Sequence, residues 1–179
     1  MRSSSVLFVV GLLALILQGA LARVLPPPWC PDLSWLVVVA LGLRWPGLVS
    51  GMLVATLLGF SMDLLSGSLM GQHALLRVLS FLAAAVATRQ LDLSGSLPIS
   101  LFVFALMFGY GLAVVATLAF FVGSAGIDLQ VVGRALIHAL VNAAVAPSVL
   151  SGIERLISRL SEEEIGRRAW PLGIVRGNA

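Results

Sequence analysis

Six apolar segments, separated by short stretches rich in Gly, Pro and Ser, occupy most of the chain. A transmembrane α-helix needs about 20 predominantly apolar residues, a length that every segment except the second approaches. The short polar stretches between them leave no room for an inserted soluble domain. The pattern therefore predicts an all-α polytopic membrane bundle of about six transmembrane helices, at residues 6–22, 33–43, 47–65, 71–88, 97–122 and 131–150.

The first two segments leave alternatives open. The first follows Arg2 and ends in Ala20-Leu21-Ala22-Arg23, which also fits a cleavable secretory signal. A retained helix is favoured, because five more segments follow. After an extended, proline-rich connection at 23–32, the second segment is short, so it is expected to tilt, to begin earlier or to thin the membrane around it.

Composition supports the membrane assignment. The chain is 59% hydrophobic and 11% charged, whereas a soluble domain is typically about a quarter charged. All 11 basic residues are arginines at segment ends and in the tail, a distribution that does not suggest nucleic-acid binding. The only cysteine, Cys30, excludes an intramolecular disulfide and makes a cysteine-based metal site improbable.

Arginine placement predicts the orientation. Cytoplasmic loops of membrane proteins carry an excess of Lys and Arg, so both termini are expected in the cytoplasm. Arg23, Arg77 and Arg134 then lie on the opposite side. The eight arginines expected on the cytoplasmic side are Arg2, Arg44, Arg89, Arg155, Arg159, Arg167, Arg168 and Arg176.

The chain divides into a six-span membrane domain at 1–152 and a cytoplasmic tail at 153–179. Apolar residues at 153, 156, 157 and 160 recur at helical spacing with charges between them, which predicts a helix lying on the inner leaflet. Ser161 and Glu164 resemble a capping box that starts another short helix. Residues 171–179 are expected to be disordered. The tail either anchors the orientation or docks a partner.

The third segment carries a stripe of small residues at steps of four, which places them on one helix face. Small residues let another helix backbone approach closely in a membrane. An internal packing face is favoured over a subunit interface. The helix-packing stripe consists of Gly47, Gly51, Ala55 and Gly59.

Asp63 continues the same face and is expected near the outer edge of the membrane. Intramembrane charges are costly unless paired, so Asp63 is predicted to be bridged by Arg77 or Arg134. A structural pairing is favoured, with a ligand or proton site as the alternative. The predicted intramembrane polar cluster comprises Asp63, Arg77, Arg134, His138 and Asn142.

Catalysis is poorly supported. Asp63 is the only acid well inside a predicted span, whereas metal-dependent phosphoryl chemistry needs several carboxylates. Ser66 lacks the sequence context of an activated nucleophile, and neither histidine has metal-ligand spacing to the other. The chain is therefore expected to be no enzyme, with no cofactor and no metal.

One motif carries a family resemblance. Pro31-Asp32-Leu33 and above all Gly59-x-x-x-Asp63-x-x-Ser66-Gly67-x-x-x-Gly71-x-His73-Ala74-Leu75 resemble the bacterial rod shape-determining MreD family. The resemblance is densest over residues 31–90. It implies a structural or partner motif formed by Gly59, Asp63, Ser66, Gly67, Gly71 and His73.

The resemblance also implies a function. It implies a non-enzymatic inner-membrane scaffold of the cell-elongation machinery, which regulates cell shape and peptidoglycan synthesis. Its partner is an MreC-like, membrane-anchored periplasmic protein, which links it to MreB-like filaments, a RodA-type glycosyltransferase and a penicillin-binding transpeptidase. The implied fold is similar to the substrate-binding subunits of energy-coupling-factor transporters. The alternative is therefore a vitamin-type small-molecule binding subunit.

Overall fold

The computed structural model describes residues 2–45, 47–67, 69–123 and 128–169, and the side chains of all of these except 2, 3 and 161–169. Within these ranges the chain forms six α-helices and no strand. The predicted all-α class is confirmed. The helices are α1 (Arg2–Leu21), α2 (Leu33–Arg44), α3 (Leu48–Ser66), α4 (Gln72–Gln90), α5 (Ser96–Val122) and α6 (Leu129–Ala169).

Four of these helices are long and apolar enough to cross a membrane. α2 is too short, and α4 carries Arg77 and Arg89. Both pack among the others: α2 against α1, α3, α4 and α6, and α4 against α2, α3 and α5. The fold is therefore a polytopic helical bundle that holds its two less favourable segments by protein contacts. The four candidate spans are Ser4–Leu21, Leu48–Ser66, Ser96–Val122 and Leu129–Leu160.

α2 lies at the centre of the bundle. Its first turn is capped by Asp32, whose carboxylate accepts the backbone N–H of Trp35 at 2.8 Å. It ends at Arg44, and the next residue, Trp45, is extended, as expected of a residue before proline. Every residue from Ser34 to Leu43 is buried. At about 1.5 Å per residue the helix is only about 18 Å long, and this length is tolerated because protein rather than lipid surrounds it.

The short α2 requires the connection before it to enter the bundle. Cys30, Pro31 and Asp32 are buried although they are not helical. Irregular backbone at membrane depth is stable only where protein covers it or where it lines a cavity. The observed burial meets this condition.

The α3–α4 contact uses three positions of the predicted small-residue stripe. A Cβ added at Gly51 would lie 2.4 Å from the ring of Phe81, and one added at Gly59 would lie 2.4 Å from the Cα of Ala74. Ala55 between them is fully buried. Gly47 lies outside this contact, at the N-cap of α3. The stripe thus brings α3 within backbone distance of α4.

α6 differs from the prediction. It does not end near Leu150 but continues without a break to Ala169, with Pro147 inside it. Ile153 and Ile157 are buried in the same core as the membrane helices, so they do not form a separate helix on the inner leaflet. Ser161 lies within α6 and does not start a new helix. The predicted disorder of 171–179 lies outside the described residues.

Gly59→Ala should destabilise the protein by about 1–3 kcal/mol, because the new methyl group meets the α4 backbone rather than a movable side chain. Gly133→Ala is the matched control, since a Cβ there has nothing within 4 Å. Thermal unfolding of both variants in detergent, followed by size-exclusion chromatography, measures the difference. Equal melting temperatures for the two variants would contradict the close α3–α4 contact.

Candidate functional site: a polar cavity between the helices

The turn between α3 and α4 depends on two glycines and Asp63. Gly67 and Gly71 have φ of 63° and 87°, in the left-handed region that favours glycine. The buried carboxylate of Asp63 accepts the backbone N–H groups of Gly71 at 3.0 Å, His73 at 2.9 Å and Ala74 at 3.2 Å. These donors form the positive N-terminal end of α4. Asp63 therefore fixes the start of α4 relative to α3.

A buried ion pair joins α4 to the start of α2. One terminal nitrogen of Arg77, Nη2, lies 3.2 and 3.3 Å from the two carboxylate oxygens of Asp32. Nη1 of the same guanidinium donates to the carbonyl of Leu58 on α3 at 3.2 Å. The side chain of Arg77 is fully buried and that of Asp32 nearly so. Each charge compensates the other inside the bundle.

Asn142 and His138 of α6 hold that helix to the connection before α2. The side-chain oxygen of Asn142 accepts the backbone N–H of Asp32 at 2.9 Å. Its amide nitrogen donates to the carbonyl of His138 at 2.8 Å. The ring Nδ1 of His138 lies 3.2 Å from the carbonyl of Pro28, and it must donate because a carbonyl only accepts. Two polar residues of α6 thus fasten the irregular connection before α2.

Tyr110 of α5 closes the network from the other side. Its hydroxyl lies 2.6 Å from Nδ1 of His73, and the two rings stack. Its ring also meets that of Trp35 edge to face, with the centroids 5.9 Å apart. The indole N–H of Trp35 donates to Ser80 at 3.1 Å. Aromatic residues with polar tips therefore connect α5 to α2 and α4.

A cavity of about 690 Å³ opens beside this network. Its walls come from the ends of α1 and α3, the middle of α5, the starts of α4 and α6, and the connection before α2. This end of the bundle is called the cavity end. The walls are mainly apolar. The polar side chains on them are Gln18, Asp32, Ser66, His73, Tyr110, Arg134 and His138.

The predicted pairing of Asp63 was wrong. Arg77 forms its ion pair with Asp32, and the oxygens of Asp63 accept backbone N–H groups of α4. Arg134 is exposed and lies on the cavity wall. The structure therefore divides the predicted polar cluster, with Arg77, His138 and Asn142 around Asp32 and with Asp63 at the α3–α4 turn.

Sequence reasoning missed two central residues. Asp32 was assigned to a loop, although an aspartate three residues before Trp35 has the spacing of a helix N-cap. Tyr110 was not singled out, although it is the only tyrosine of the chain and lies in an otherwise apolar helix. Both signals were present in the sequence.

A second, smaller cleft lies at the opposite end of the bundle, called the cleft end. It measures about 510 Å³ and lies between the end of α2, the α4–α5 connection and α6 from Pro147 to Glu154. Arg44 and Glu154 form an ion pair across it at 3.4 Å. In the α4–α5 connection, the hydroxyl and backbone N–H of Ser94 hold the pKa of Asp92 below its usual value.

The geometry of the cavity suits binding. Apolar walls with a few converging polar groups provide burial for an apolar group and a small number of directional contacts. No group of three or more His, Cys, Asp or Glu in the described part of the chain is placed to hold a metal ion. The fold and the cavity together define a multi-helix membrane protein with a cavity suited to binding at one end.

Comparison with known families gives a more specific assignment. The family model described as rod shape-determining protein MreD matches residues 3–151. This range covers α1 to α5 and most of the membrane part of α6, so the chain belongs to the MreD family, as the motif around Asp63 indicated. No curated protein and no solved structure was found to match. The expected likeness to energy-coupling-factor subunits therefore stays a prediction.

A double-mutant cycle tests the buried ion pair. Asp32→Asn and Arg77→Met should each lower the free energy of unfolding by about 3–5 kcal/mol, because each leaves one buried charge without its partner. The double variant should lose less than the sum of the two. Asp92→Asn, at an exposed acid, should change stability by under about 0.5 kcal/mol. Denaturant titration in detergent measures all four variants, and additive effects at Asp32 and Arg77 would argue against the pairing.

Proposed function

We propose that this MreD-family protein is a non-enzymatic membrane scaffold of the cell-elongation machinery. Its cavity end receives a segment of an MreC-like, membrane-anchored periplasmic protein. Through this partner it is linked indirectly to MreB-like filaments, a RodA-type glycosyltransferase and a penicillin-binding transpeptidase. The observation that carries the proposal is the coincidence of the family motif with the cavity wall: Ser66 and His73 belong to both.

Exposed charge supports the orientation in which the cavity end faces the periplasm of a bacterial inner membrane and both termini face the cytoplasm. Arg77 is buried and neutralised by Asp32, so it does not count toward the exposed charge. Among the described side chains, Arg23 and Arg134 are exposed at the cavity end. The cleft end exposes four arginines, Arg44, Arg89, Arg155 and Arg159. This asymmetry agrees with the preference of cytoplasmic surfaces for basic residues.

Rigidity at the base of the cavity favours docking of a partner segment. The connection before α2 is fastened by Arg77, Asn142 and His138, and the start of α4 is fastened by Asp63. A surface formed before its partner arrives loses less conformational entropy on binding. The polar network thus supports an interaction role without a reaction.

A second candidate is a small-molecule binding subunit of a transporter. A cavity of about 690 Å³ lies within the usual range for small-molecule sites, which is about 300–1,000 Å³. Depletion of the protein distinguishes the two candidate functions. Loss of rod shape with normal vitamin uptake supports the scaffold, and normal shape with lost uptake supports the transporter subunit.

Val131→Trp tests the cavity as the partner surface. Val131 lines the cavity, whereas Leu129, two residues earlier on α6, is 83% exposed and does not line it. The indole at position 131 should fill the space, lower capture of the MreC-like partner by at least about tenfold and give rounded cells. Leu129→Trp should leave both unchanged. Capture is measured by co-purification from membranes, and cell shape by microscopy of depleted cells carrying each variant.

Two results separate the parts of the proposal. If Val131→Trp captures the partner normally while depletion still rounds the cells, the scaffold role stands and the cavity is not the docking surface. If depletion does not change cell shape, the scaffold role is wrong.

A further inference from the structure

We propose that the α6 face carrying Arg155 and Arg159, at the cleft end of the bundle, binds the phosphate headgroups of anionic phospholipids. This surface goes beyond the proposed scaffold role, which concerns the cavity end. Four observations support it: the depth of the two arginines, the direction in which they face, the described ion pairs, and the charge order along α6.

The depth follows from the neighbouring helices. α2 ends at Arg44, and the Arg44–Glu154 contact places Glu154 at the level of that helix end. Arg155 and Arg159 follow Glu154 by one and five residues, or about 1.5 and 7.5 Å along the helix. The headgroup layer on each side of the hydrocarbon core is about 5–8 Å thick. Both side chains therefore originate within or just beyond that layer.

The side chains also lean toward the membrane. Every Cα–Cβ bond of an α-helix tilts toward the N-terminus of the helix. Along this part of α6 the N-terminal direction leads back into the bundle and the membrane. A long arginine side chain extends this tilt, so its guanidinium reaches headgroup depth from a Cα that lies farther out.

The two arginines face away from the protein. Ile153 and Ile157 on the same helix are 8% and 6% exposed and pack in the core. At 3.6 residues per turn, Arg155 and Arg159 lie on the side opposite these isoleucines, and both are exposed. Because they are four residues apart, they are neighbours on one face. A surface that faces outward at headgroup depth contacts lipid.

Among the described side chains, no carboxylate pairs with these two arginines. The described ion pair of Glu154 is with Arg44. The next acids in the sequence, Glu162, Glu163 and Glu164, follow Arg159 by three to five residues, which is farther from the bundle along α6. Basic residues near the membrane and acidic residues beyond them match the order that an anionic surface favours. Guanidinium groups bind phosphate in a bidentate manner, which suits two adjacent arginines.

Native mass spectrometry of the full-length protein tests this inference. The protein is reconstituted with equal amounts of phosphatidylglycerol and phosphatidylcholine, and the retained lipids are counted. The unmodified protein should retain phosphatidylglycerol in preference to phosphatidylcholine. R155Q/R159Q should weaken that preference on the order of tenfold, whereas R155K/R159K should weaken it less, because it preserves the charge but not the bidentate geometry. Arg23→Gln, an exposed arginine at the cavity end, should change nothing.

Since both leaflets of such a bilayer contain the anionic lipid, the result does not depend on which end faces the cytoplasm. An unchanged phosphatidylglycerol preference in R155Q/R159Q, measured on molecules that elute as the unmodified protein does, would overturn the proposal. If the same variant also loses an acidic cytosolic protein in co-purification, the face docks protein rather than lipid. Partner capture at the cavity end is measured separately, so the failure of one proposal is distinguishable from that of the other.

Discussion

The buried ion pair between Asp32 and Arg77 joins the start of α2 to α4 inside the bundle. A charge inside a membrane protein is stable only beside its counter-charge and enough hydrogen-bond partners. Asp32 meets this requirement by accepting from Arg77 and from the first turn of α2, while Arg77 also reaches the α3 backbone. Asn142 of α6 accepts the backbone N–H of Asp32, so α6 is held there too. One residue pair thus fixes the relative positions of four helices.

The cavity follows from the same constraint. Because Asp32 is held inside the bundle, α2 begins at that depth and does not extend to the cavity end. α1, α3, α5 and α6 continue past it, and the connection at 26–32 covers only part of the space they enclose. The cavity lies beside this connection, among the longer helices. The short second helix, which looks like a defect in a hydropathy profile, thus leaves room for the cavity.

The helices were predictable because apolar runs of membrane length bounded by Gly, Pro and Ser have few other interpretations. All six helix ends at the cavity end lie within two residues of their predicted positions. The end of α6 was not predictable from hydropathy: apolar character falls after Leu150, while backbone hydrogen bonding continues and Ile153 and Ile157 remain buried. The structure places Asp63 close to the start of α4, but the arginine partner predicted for it was wrong. The prediction considered only opposite charges, whereas the free N–H groups of a helix start satisfy a carboxylate equally well.

The ion pair also affects the order in which the helices enter the membrane, as α4 shows. An arginine inside a membrane helix is unfavourable unless it is paired. α4 carries Arg77 in its second turn and is not among the segments apolar enough to cross alone. Its counter-charge, Asp32, lies before α2, and its N-terminal hydrogen bonds come from Asp63 on α3. The energy that retains α4 in the bilayer is thus available only once the two preceding segments are in place. We therefore expect α2, α3 and α4 to leave the translocon as a group rather than one helix at a time.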